Sequence, residues 1–160
     1  MWEPVQRFRA LAPEARKTFL RAAVLLPAIS LSLKLRGFRA TQQSLQELSV
    51  ASNSASSGNN IREDVADSER ITRAVRMVNA AARYEWGGFT CLEKSLALWW
   101  LLRRDGTASR VRIGARKSAG KLEAHAWVER DGVALNEPLQ EHRHYATFDA
   151  AFPLQSSESS

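Results

Sequence analysis

Apolar positions recur at helical spacing through the first part of the chain. Phe8 and Leu11, then Phe19, Leu20, Ala23 and Val24, predict helix over residues 3–36. Pro13 suits the first turn of a second helix, where its missing N–H costs nothing, and Pro27 should kink or split that helix. Residues 37–49 read as a linker leading into a short amphipathic piece. The stretch SVASNSASSGNNIRED then offers almost nothing to bury and reads as a loop. Asp67 or Ser68 can cap a further helix, which Ile71, Val75, Val78 and Ala82 carry to near Trp86 before Gly87-Gly88 breaks it.

Beyond residue 88 the pattern changes. Thr90-x-x-Glu93 ahead of an apolar run is the capping-box signature. It makes Thr90 the cap and Cys91 the first helical residue. Leu92, Leu96, Trp99 and Leu102 line one side, with Ser95 beside them, and Gly106 ends the helix. VRIGA and EAHAWVE then alternate apolar and polar at period two, and Asp131-Gly132 ahead of VALNE is a hairpin signal. Helices feeding an antiparallel sheet are an α+β layout. The expected organisation is an N-terminal helical part over 1–50, serving as a partner-docking region. A flexible loop over 51–66, a core over 67–154 and a frayed tail over 155–160 follow.

Composition narrows the class. A chain of 160 residues with 44 % hydrophobic content builds one domain with a proper core. A single cysteine excludes a disulfide framework and a cysteine-based zinc cage, and a reducing cytoplasm suits a free thiol. Lys plus Arg exceeds Asp plus Glu by six, 23 against 17, yet no run of five like charges occurs, which argues against nucleic acid as partner. FLRAAVLLPAISLSLKL, residues 19–35, carries Arg21 and Lys34 and is interrupted by Pro27. It is short for a bilayer span and reads as buried or partner-facing helix. The opening MWEPVQRFRALAPEAR has no secretory pattern.

The thiol of Cys91 heads a helix, where the macrodipole and free N–H groups favour a negatively charged sulfur and can hold an oxyanion. From this stretch alone a structural cysteine fits as well. A nucleophile needs a base, and His125 sits within a strand, flanked by alanines and sharing a face with Trp127. His142 and His144 lie in a polar connecting stretch and read as surface residues; with Glu141 they make no credible metal site. A third group must orient the imidazole. A two-residue turn puts Asn136 on the face of His125; a three-residue loop with a bulge puts Glu137 there. Parity alone does not choose between them.

TCLEKSLALWWLLRRDG, RIGA and EAHAWVERDGVALNE resemble the transglutaminase-like peptidase domain of lasso-peptide biosynthesis proteins. The resemblance is specific from Thr90 to Glu137 and weaker over the N-terminal helices. It implies a Cys-bearing helix packed on an antiparallel sheet, as in papain-like and transglutaminase-like cores. It also implies a cysteine peptidase that removes the leader from a ribosomally made precursor. Cys91 becomes the nucleophile, His125 the base and Glu137 the third member, where the family usually has aspartate; Asn136 is the alternative. No cofactor and no metal are implied. The implied partners are the leader–core precursor, a separate leader-recognition protein and the lasso macrocyclase. The chain lacks a winged-helix pattern over residues 1–60 and so looks like a free-standing peptidase subunit with no membrane span. Two other readings stand beside it: an idle scaffold of the same fold that binds leader or partner, and an acyltransferase in which an amine replaces water.

Overall fold

Pro13 opens the first helix of the computed structural model, which describes residues 10–50, 61–84, 88–137 and 144–147. The elements are α1 (Pro13–Val50), α2 (Ile61–Tyr84), α3 (Cys91–Arg104), β1 (Arg110–Ser118), β2 (Lys121–Arg130), β3 (Val133–Ala134) and β4 (Ala146–Thr147). The strands form one antiparallel sheet in the order β3-β2-β1-β4, so the fold is α+β.

The break in α1 falls at Gly37, not at Pro27. Gly37 has φ 75°, a left-handed conformation that suits a residue without Cβ, and the chain is helical on both sides of it. Thr41 Oγ1 donates to the Gly37 carbonyl at 2.8 Å and lies 2.8 Å from Ser32 Oγ, which fixes the bend. Pro27 is exposed, so the carbonyl it leaves without a helical donor is on the side open to water. Residues 37–49 are therefore helix, where a linker was expected.

The loop expected over 51–66 is also shorter. Residues 51–60 lie outside the described residues, but α2 already begins at Ile61. Asp67 is not its cap. Its carboxylate accepts hydrogen bonds from Thr107 Oγ1 at 2.9 Å and from the Arg130 guanidinium, with Arg70 at 3.5 Å. One side chain thus joins α2, the turn after α3 and the end of β2.

α3 is the central helix. Its Leu96, Leu98, Leu101 and Leu102 share one core with Ala22, Leu26, Ile29 and Leu45 of α1, Ala74, Val78 and Ala81 of α2, Val111 of β1 and Val128 of β2. The N-terminal helical part is thus built into the same core as the sheet. The opposite side of α1 is apolar as well: Leu20, Val24, Leu31 and Leu35 are 52, 72, 58 and 74 % exposed. Their spacings of four, seven and four make one stripe. By length and composition alone, Pro13–Leu48 is long and apolar enough to cross a bilayer, although residues 19–35 read as too short for one.

Two carboxylates, the half-buried Asp67 and the buried Glu129, couple this fold to pH. Burial pushes Asp67 up, but its bonds from Thr107 and Arg130 and the Arg70 charge outweigh that and hold it below its ordinary 3.8. Burial likewise raises Glu129, and Arg110 and Arg112 bring it below 4.5. Folded values below the unfolded ones mean that the stabilisation is complete above the unfolded pKa and is lost as pH falls through the folded one. The urea midpoint should therefore drop as pH is lowered from about 5 to about 3. Asp67→Asn should flatten that dependence, as read from urea titrations at several pH values.

Candidate active site

The helix that carries the thiol begins as its sequence dictates. Thr90 is the N-cap; its N–H donates to Glu93 Oε2 at 2.6 Å, and the Glu93 N–H donates to Thr90 Oγ1 at 3.4 Å. Burial raises the Glu93 carboxyl, but bonds from Ser30 and Thr90 and the charge of Lys34 bring it below its ordinary value. Glu93 therefore stays an acceptor, and α1 is tied to the cap of α3. Cys91, the first residue of α3, is half-buried and free.

β2 supplies the histidine. Two tight turns fix its register. Ala119 and Gly120 have φ 48° and 79°, and Asp131 and Gly132 have φ 50° and 80°. Positive φ at both central residues is the geometry that matches strand twist in a two-residue hairpin. The first turn pairs Gly114 with His125; the second pairs Glu129 with Ala134.

A two-residue turn predicts Asn136 on the face of His125. The structure keeps that turn and still brings Glu137 to the imidazole. Leu135 N–H donates to the Val128 carbonyl at 2.8 Å, but strand pairing ends at Ala134. The next bond comes from a side chain: the Val128 N–H donates to Asn136 Oδ1 at 2.8 Å. Asn136 Nδ2 donates to Ser95 Oγ at 3.2 Å, and Ser95 Oγ donates to the Ala126 carbonyl at 3.0 Å. The main chain peels away from β2, and Glu137 Oε1 arrives 3.0 Å from His125 Nε2. The expected route to Glu137, a bulged three-residue loop, is therefore corrected, and Asn136 is engaged away from the imidazole.

The pair is close but not aligned: Nε2 is buried, and Glu137 lies off the direction of a ring N–H bond, so the two atoms are in contact without a formed hydrogen bond. Nδ1 is then the ring nitrogen left for a thiol. Ser95 lies one turn beyond Cys91, and its bond to Ala126 sets the start of α3 against the part of β2 that carries His125. No hydrogen bond joins Cys91 to His125 among the described residues; in resting sites such bonds are often long and tighten when substrate binds.

Two further residues shape the site. Tyr145 lies beside His125 with ring centroids 5.3 Å apart, and Trp127 stacks at 6.3 Å. Tyr145 immediately precedes β4, a strand in what read as a polar connection. Gly114 leaves the space between them. A Cβ there would stand 2.8 Å from Tyr145 Cβ and 3.0 Å from the Trp127 ring. A glycine inside an alternating strand is a sign of such close approach; nothing in the sequence marked Tyr145. His144 is exposed, and His142 lies outside the described residues. Among the described residues no group of three or more His, Cys, Asp or Glu is placed to hold a metal ion.

A thiol at a capped helix start, set against a strand whose histidine meets a carboxylate, is the layout of a cysteine-dependent acyl-transfer protein. Residues 29–148 match the Transglutaminase-like superfamily, and the chain belongs to it. That fold serves cysteine peptidases and acyltransferases. No curated protein and no solved structure matches the chain.

Proposed function

We propose that the protein is a cysteine peptidase that removes the leader from a lasso-peptide precursor. The observation that carries the chemistry is the Glu137–His125 contact on the strand beside the helix headed by Cys91. The substrate class rests on the sequence resemblance over Thr90–Glu137. His125 takes the thiol proton through Nδ1 while Glu137 stabilises the imidazolium. The thiolate attacks the carbonyl at the leader–core junction, and N–H groups at the start of α3 hold the oxyanion. The imidazolium protonates the departing core amine, and water, deprotonated by His125, hydrolyses the acyl-enzyme. The chemistry calls for no cofactor. The cytoplasm, where the thiol stays reduced, is the proposed location.

A leader-recognition protein docks, in this reading, on the outer stripe of α1. Within residues 19–35, which read as buried or partner-facing, Leu26 is buried in the core and Leu33 is partly buried. Leu20, Val24, Leu31 and Leu35 remain for contact. Incubation with leader–core peptides, with and without the recognition protein, tests the whole proposal by product mass. Hydrolysis adds one water across the cleaved bond, whereas transfer adds the acceptor amine in its place. Cleavage should be slow alone and at least about tenfold faster with the partner. Leu31→Asp with Leu35→Asp should remove the acceleration and leave the basal rate. An unaccelerated rate in the reconstituted pair would rule out the docking role; a transfer product would favour the acyltransferase.

A further inference from the structure

One face of the sheet carries a chain of side chains that ends on His125. In register, Arg116 opposes Glu123, Gly114 opposes His125 and Arg112 opposes Trp127. On the other side of β1, Gly114 opposes Thr147, two residues after Tyr145. The histidine on β2 and the tyrosine just before β4 therefore lie on either side of β1, with the glycine between them. Any side chain at 114 would occupy the place where Tyr145 and Trp127 converge. The tyrosine ring is itself held: the Arg116 guanidinium lies 4.7 Å from its centroid and is paired with Glu123 at 2.8 Å. The imidazole thus has Trp127 at 6.3 Å, Tyr145 at 5.3 Å and Glu137 at Nε2.

We propose that Tyr145 is a positioning residue for His125: its ring, reaching across Gly114, fixes the imidazole with Nε2 on Glu137 and Nδ1 free for Cys91. This rests on the reading of His125 as the base. An imidazole on a strand turns about two torsions, and Glu137 touches it off line, so the carboxylate alone does not set the ring plane. The aromatic neighbours do. The role belongs to the ring and not to the hydroxyl, since the contact is ring to ring.

Three substitutions test this. Tyr145→Phe should keep near-normal kcat. Tyr145→Leu, which keeps apolar bulk but loses the flat ring, should lower kcat about 10- to 100-fold with little change in KM, the scale of a misaimed catalytic group. Gly114→Ala should act in the same direction by displacing the ring. The second readout is independent of turnover: ¹⁵N spectra of the histidine ring, assigned by loss of the signal in His125→Gln. Tyr145→Leu should change the His125 tautomer ratio and its titration midpoint, and Tyr145→Phe should not. Thermal melting confirms that each variant is folded; if Tyr145→Leu does not fold, Gly114→Ala and Tyr145→Phe carry the test. Wild-type ring spectra in a folded Tyr145→Leu or Gly114→Ala would overturn the proposal. Absence of hydrolysis by the wild-type protein would defeat the peptidase reading instead, while the spectra would still decide the role of Tyr145.

Discussion

Cys91→Ala is expected to abolish cleavage of a leader–core peptide while the fold persists. The thiol is half-buried at the head of α3, and the cap depends on Thr90 and Glu93 rather than on sulfur. Its removal should leave the melting temperature nearly unchanged. The rate should fall by at least about 10⁴-fold, since deleting a covalent nucleophile removes the pathway itself. Cys91→Ser should be equally inactive, because a serine hydroxyl is a far weaker nucleophile than a thiolate at this position. A trapped acyl-enzyme, seen as an added mass on Cys91 in the wild type and missing in both variants, is the direct check. Turnover in a clean Cys91→Ala preparation would end the proteolytic reading.

The second large effect separates two adjacent residues. Glu137→Ala should lower kcat by about 10²–10⁴-fold, the range set by losing the group that orients a catalytic histidine. Glu137→Gln should recover part of that loss by keeping the shape without the charge. Stability should change little in either. Asn136→Ala should behave in the opposite way. It leaves the Val128 N–H without its acceptor in a largely buried place, and removes the bond that Ser95 Oγ accepts, which costs about 1–3 kcal/mol. Its melting temperature should therefore fall clearly while kcat falls less. Measuring kcat and melting temperature on the same preparations decides the assignment. A catalytic loss concentrated in Asn136→Ala would reverse it.

How much of this was legible in the chain depends on what each feature needed. The start of α3 needed only Thr90 and Glu93 three residues apart, and local chemistry fixed it. The Asp131-Gly132 turn was equally local. The place of Glu137 was not, because it depends on Asn136 replacing a main-chain partner at the point where β3 leaves the sheet. A strand pattern carries no sign of that exchange. Asp67 looked like a cap because its residue type favours caps; its real partners lie 40 and 63 positions away, at Thr107 and Arg130. The break at Gly37 was hidden behind the louder signal of Pro27, whose cost is small on an exposed face. Tyr145 was invisible for a similar reason. A two-residue strand leaves almost no periodicity, and the value of the ring comes entirely from a vacancy on a neighbouring strand.

The departure of the chain after Ala134 has a consequence for solubility. Among the described residues β2 loses its neighbour halfway along, and such a strand presents a row of donors and acceptors on which a foreign chain can add itself. In β2 that row begins at the Ala126 carbonyl and the Val128 N–H, and both are already taken, by Ser95 and Asn136. The two side chains that let Glu137 reach the imidazole thereby also close this stretch of the sheet against recruitment into a larger, aggregating one.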